Sequence, residues 1–248
     1  CRAASRSTPH PGLYPRKGRR TNFAVFRSAS RDEGQTIYTQ LGDGIYWDIA
    51  LWVFSIGVLW RILSIFRVRG KPDLSEPRGS ALAGAIGANL SRFLPRPEIG
   101  YRTRLHVIAG YLFHIGLFFL LFFAAPHVLF IEAETGLGWT PMPYWAFIIS
   151  AQLAFIGLML LWIHRVMHPV TRLISSADDH IAAILTFIVM LTGCMALIET
   201  FEGLRVLHRF TVELLMVYFP FSRLMHAFMF IPSRAYTGAW FGRRGVKA

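Results

Sequence analysis

The chain has 248 residues, of which 54% are hydrophobic and only 16% charged. That balance excludes an ordinary soluble domain and describes a protein whose main solvent is lipid. The formal charge of +12 would suit nucleic acid, but most of the basic residues stand beside apolar stretches, as the positive-inside rule describes, and nucleic acid is set aside as a partner.

Residues 1–44 read as a basic, flexible N-terminal tail, rich in Arg and Ser and without the apolar core of a secretory signal. Residues 45–233 read as a five-helix membrane domain, with spans expected at 46–66, 105–131, 144–163, 180–198 and 207–231. Each is near the ~20 apolar residues that a bilayer requires. The loop after the first span carries Arg67, Arg69, Lys71, Arg78, Arg92, Arg96, Arg102 and Arg104, and a short interfacial or partner-facing helix is expected within it over 81–93. The stretch 132–143 has no Lys or Arg, whereas the next loop carries Arg165 and Arg172. Residues 234–248 form a basic C-terminal tail with Arg234, Arg243, Arg244 and Lys247. The alternation of these loops predicts an all-α integral-membrane bundle of five transmembrane helices, N-terminus outside and C-terminus cytoplasmic. Cys1 and Cys194 offer neither metal-ligand spacing nor a disulfide framework.

Histidines carry the chemistry. His208 and His226 are eighteen residues apart, five turns of an unbroken helix, which would put both on one face about 27 Å apart along the axis. Neutral imidazole is the common axial ligand of b-type haem, and two haems so held need four histidines. The second span runs antiparallel to the fifth and supplies His114 against His226 on the inner side and His127 against His208 on the outer side. Thirteen residues separate His114 from His127, which is about 140° off one helical face, so a kink at Pro126 must re-aim His127. The haem iron ligands expected from the sequence are therefore His114, His226, His127 and His208. His106 is the next candidate, at the inner mouth. His164, His168 and His180 read as interfacial or helix-end residues, and His10 lies in the tail. Arg223, three residues before His226, suits a haem propionate, with Arg205 and Arg209 as outer counterparts.

Several segments resemble the gamma subunit of respiratory nitrate reductases, a dihaem membrane cytochrome b. They are Phe113-His114-Ile115-Gly116, the run Phe219-Pro220-Phe221-Ser222-Arg223-Leu224-Met225-His226 with His208 upstream, and Arg165, Pro169, Arg172, Asp179 and Gly193 between them. The resemblance covers about residues 45 to 235. Ala124 stands where that family has its second outer ligand, so His127 takes the role. The stretches His127-Val128, Gly138-Trp139-Thr140-Pro141, Ser233-Arg234 and Phe241-Gly242-Arg243-Arg244-Gly245 look more like a sister group. Its members are membrane cytochromes partnered with heterodisulfide-reductase-like iron–sulfur proteins.

What the resemblance implies is a membrane cytochrome b subunit of a larger respiratory oxidoreductase complex in the cell's inner (cytoplasmic) membrane. It would carry two haem b groups and pass electrons between a quinone or menaquinone pool and a cytoplasmic iron–sulfur partner, heterodisulfide-reductase-like or ferredoxin-like. Glu132 and Glu134 are the outer carboxylates within reach of a quinol, although solvated loop acids are the plainer reading. The alternative is a cofactor-free membrane anchor or assembly subunit. A transporter is disfavoured because the spans hold few acids and show no inverted repeat.

Overall fold

The computed structural model describes residues 44–67, 74–94, 97–197 and 202–246. The expected N-terminal tail, with His10, lies outside the described residues apart from its last position. Every regular element among the described residues is helical. Helix α1 spans Ile45–Arg67, α2 Ala81–Ser91, α3 Pro97–Phe123, α4 Ala125–Thr135, α5 Tyr144–Met167, α6 Pro169–Ile174, α7 Ala177–Leu197, α8 Glu202–Tyr218 and α9 His226–Arg243.

Four helices are long and apolar enough to cross a membrane, within Ile45–Ile65, Thr103–Phe123, Tyr144–Met167 and Ala177–Leu197. Gly203–Phe221 and Arg223–Arg243 are long and apolar enough only as a pair and bend by 76° at their junction, so the described residues hold four continuous spans, or five where the bent pair counts as one. The surface is correspondingly apolar: Trp52, Ile56, Leu59 and Trp60 of α1 are all more than half exposed, which water would not tolerate on such a scale but lipid does. The protein is an all-α, multi-span integral membrane protein.

Where helices meet, small residues let the backbones approach, as is usual when lipid removes the hydrophobic drive to associate. Helix α3 packs on α5, with Gly116 so close that an added Cβ would stand 2.5 Å from the Ser150 carbonyl oxygen. Gly157 of α5 similarly presses on the backbone of Phe113 and Ala109. Leu120, Ala151, Ala154, Leu158 and Met190 form the dry centre of this packing, flanked by Phe113, Phe155 and Phe187. Helix α8 packs on α7 and on α1, where Pro220 fills the space opposite Gly57.

Two of the expected spans are not single helices. The second breaks at Ala124, whose ψ of 135° is extended, and restarts as α4 with Pro126 in its first turn. Pro126 has no N–H to give the Phe122 carbonyl, which accepts instead from Trp139 Nε1 at 2.8 Å. The Phe123 carbonyl takes the Met142 amide at 2.9 Å. Both freed acceptors are thus satisfied from the loop that joins α4 to α5, as a membrane environment demands.

The fifth span breaks at Pro220 into two 3-10 turns, Phe219–Phe221 and Arg223–Met225, joined by an extended Ser222 whose hydroxyl accepts from the Leu224 amide at 3.1 Å. The unbroken five-turn helix expected to carry both His208 and His226 therefore does not exist: His208 is on α8 and His226 begins α9. Pro220 is the cause, since it can neither donate to the preceding turn nor accommodate its carbonyl. The C-terminal boundary moves as well. Helix α9 runs without interruption through Ser233 and Arg234 to Arg243.

The helix expected within 81–93 is present as α2, started by Ser80, whose side chain accepts from the Ala83 amide at 3.2 Å. It lies antiparallel on α9, with Gly84 against Gly238 and Gly242 against both Gly84 and the Ser80 carbonyl. Gly238→Leu should force these two backbones apart, a cost of about 2 kcal/mol or more by the usual scale of overpacking. The expected result, read by hydrogen–deuterium exchange in nanodiscs, is loss of amide protection over α2 while α3, α5 and α7 keep theirs.

Candidate functional site

The two breaks bring four imidazoles together in two pairs. His114 on α3 and His226 at the start of α9 have ring centroids 6.0 Å apart, with planes nearly perpendicular at 82°. His127 on α4 and His208 on α8 have centroids 6.4 Å apart, with planes inclined by 26°. The histidines expected to pair from the sequence are those that stand together. Each pair bridges helices that rest mainly on other neighbours, α3 on α5 and α8 on α7 and α1.

Hydrogen bonds fix the ring tautomers. Nδ1 of His114 lies 2.7 Å from the Gly110 carbonyl, Nδ1 of His127 2.8 Å from the Leu120 carbonyl and Nδ1 of His226 2.8 Å from the Arg223 carbonyl. A carbonyl oxygen only accepts, so each Nδ1 carries the proton and each Nε2 keeps its lone pair. His208 Nδ1 is 3.1 Å from Thr192 Oγ1, whose own hydroxyl is within reach of the Ile188 carbonyl at 2.9 Å, so the same tautomer is favoured there. This is the outer bond that metal-ligating histidines ordinarily make. Gly193 completes the seat of His208: a Cβ there would stand 2.9 Å from the ring's Cε1.

Below the His114–His226 pair lies an ion cluster. Asp179, its side chain only 6% exposed, meets Arg165 at 3.0 Å and Arg223 at 3.5 Å. It also accepts from the Ser176 amide at 2.9 Å and the Ser176 hydroxyl at 3.0 Å. Asp178 accepts from the Arg223 amide at 2.9 Å and from the Tyr218 hydroxyl, and reaches the Arg223 guanidinium at 4.0 Å. Arg223, expected to face a haem propionate, is thus turned toward two carboxylates of α7. The sequence placed these acids at a helix start, where the N-terminal dipole favours them. Their contact with Arg223, more than forty residues away, had no local signal.

The remaining candidates separate from this arrangement. His106 lies beside His164, with ring centroids 5.8 Å apart, and His164 stacks on His168 at 5.0 Å. This second group of rings was not anticipated as a unit. Arg209 pairs with Glu213 at 2.8 Å. Glu132 and Glu134 are exposed near the end of α4. Among the described residues, no three His, Cys, Asp or Glu side chains converge as metal ligands.

The fold and its apolar surface define the class: a multi-span helical integral membrane protein. A protein of Nitratidesulfovibrio vulgaris (Hildenborough), described only as "Protein", is 26% identical over 213 residues, covering 82% of this chain and 92% of its own length. No family model and no solved structure matches the chain.

Replacing Asp179 by Asn leaves Arg165 and Arg223 facing a neutral amide. Breaking a largely buried pair typically costs about 3 kcal/mol, and the half-exposed Arg223 puts the expected loss here below that. A fall in the thermal unfolding midpoint in detergent is expected, and Asp178→Asn, more exposed, should lower it less.

Proposed function

We propose that this protein is the membrane subunit of a larger complex, and that His114 with His226, and His127 with His208, are axial ligands of two b haems. On this reading the chain carries electrons across the membrane between a quinone pool and a cytoplasmic iron–sulfur partner. The observation that carries it is the ring spacing. Two imidazoles on opposite sides of one iron, each about 2 Å from it, have centroids roughly 6 to 6.5 Å apart, and the two pairs stand at 6.0 and 6.4 Å.

The donor chemistry supports the same reading. His114, His127 and His226 hold the proton on Nδ1 against a carbonyl and leave Nε2 as the basic nitrogen, and the Thr192 hydroxyl favours the same tautomer in His208. A bound haem supplies a reversible one-electron couple at each pair. The chain's own contribution is to hold the rings at fixed spacing and orientation. Arg223 stands one turn from His226, and a propionate there would share its guanidinium with Asp178 and Asp179.

A second reading, a cofactor-free membrane anchor or assembly subunit, is favoured by the absence of any three converging metal-ligating side chains among the described residues. A haem takes only two ligands from the protein, since the porphyrin supplies the equatorial nitrogens. The two readings therefore separate on pigment. A reduced-minus-oxidised spectrum with pyridine haemochrome quantitation of the purified chain is expected to give a b-type α band and two haems per chain; a colourless chain establishes the anchor. His226→Ala and His114→Ala should each remove one haem and leave the other. Retention of both haems in His127→Ala would move the outer ligand elsewhere.

A further inference from the structure

Helix α2 presents a problem that the bundle does not solve. Its eleven residues, ALAGAIGANLS, contain no charge, and at that length they cannot cross a bilayer. Yet Leu82 is 71% exposed, Leu90 70% and Ile86 53%, and the following Phe93 and Leu94 are exposed as well. Positions 82, 86 and 90 form one stripe at helical spacing. The opposite side is consumed by α9 through the glycine contacts of Gly84 and Gly238. Helix α9 adds exposed Phe228, Ile231, Tyr236, Trp240 and Phe241.

Three observations say what covers this surface. First, the Tyr111 hydroxyl donates to the Phe93 carbonyl. Tyr111 lies within the apolar stretch Thr103–Phe123, so the C-terminal end of α2 packs against the lipid-spanning helix α3 and not away from it. Second, the 76° bend after α8 turns α9 away from the direction of its own span. Third, neither α2 nor α9 contains an Asp or Glu, while arginines stand at both ends of the pair. Arg78 and Arg243 meet at one end, the Arg78 amide donating to the Arg243 carbonyl at 2.8 Å. At the other end Arg92 closes α2, and the Arg234 guanidinium lies over the Phe93 and Phe230 rings at 5.2 and 5.4 Å. Arg244 covers Trp240 at 3.6 Å, the pairing of cation and amphipathic ring found at headgroup depth.

We propose that α2 and α9 form one two-helix unit that lies in the plane of the membrane on the arginine-rich side. Its stripe of Leu82, Ile86 and Leu90 is sunk among the acyl chains, and its terminal arginines hold anionic phospholipid headgroups. The shared glycine seam makes the unit rigid. The apolar stripe sets its depth, and the excess of arginine over the nearby acid, Glu76, makes its edges selective for negative lipid.

The test uses the full chain in nanodiscs of phosphatidylcholine, with and without phosphatidylglycerol. Nitroxides are placed at Ile86→Cys and Leu90→Cys in a Cys1→Ser, Cys194→Ala background. Both sites are expected to collide more with dissolved oxygen than with a water-soluble nickel chelate. Native mass spectrometry of the wild-type chain should show retained phosphatidylglycerol in preference to phosphatidylcholine, and Arg78→Gln and Arg92→Gln should each weaken that retention about fivefold. Nickel access exceeding oxygen access at both sites would assign the face to a soluble protein partner and overturn the proposal. Equal retention of the two lipids, or arginine variants indistinguishable from wild type, would overturn the headgroup assignment. None of these outcomes depends on whether the chain binds haem.

Discussion

The arrangement of this protein hangs on two adjacent carboxylates, Asp178 and Asp179, at the start of α7. Together they receive Arg165 from the end of α5, the Tyr218 hydroxyl from the end of α8, and both the amide and the guanidinium of Arg223 from the break before α9. Three spans are thereby tied at one level of the membrane. The charges lie at helix ends, where the N-terminal dipole of α7 favours the acids, and each acid accepts further hydrogen bonds that offset its removal from water. Because Arg223 is held by its backbone as well as its side chain, the cluster fixes where α9 begins and hence where His226 stands.

The two proline breaks act on the same geometry from above. An irregular backbone inside a bilayer is tolerated only when its polar groups find partners within the protein. At Pro126 the partners are Trp139 and Met142 of the loop that joins α4 to α5. At Pro220 the partner is the Ser222 hydroxyl, and the proline ring itself fills the space opposite Gly57. Each break re-aims one histidine: His127 turns back so that its Nδ1 meets the Leu120 carbonyl, and His226 turns so that its Nδ1 meets the Arg223 carbonyl. The imidazole pairs are products of helix interruption as much as of helix periodicity.

Hydropathy made the four continuous spans legible, because a run of some twenty apolar residues has few other uses; the fifth expected span is instead a bent pair of helices. The association of His114 with His226 and of His127 with His208 was also legible, since antiparallel neighbours and the charge of the loops fix which ends meet. Pro126 gave the correct warning that an ideal helix would misdirect His127. Pro220 carries the same signal, but eighteen residues also fit five turns of an unbroken helix, so the spacing of His208 and His226 masks the break. The ion cluster was not legible: Asp178 and Arg223 are joined only by the tertiary fold. Nor was the pairing of α2 with α9, whose signal is a few glycines whose spacing has meaning only once both helices are known to touch.

That last contact has a consequence for biosynthesis. Gly84 and Gly238 are about 150 residues apart in the chain, which at ordinary translation rates is roughly 10 to 30 s of elongation. Helix α2 leaves the ribosome with its small-residue face bare, and its partner does not exist until four further hydrophobic segments have been inserted. During that interval the face can only rest against lipid or a chaperone. Closure of the seam by α9 therefore waits until those segments have emerged, and a chain stopped before Gly238 would leave the small-residue face of α2 unsealed.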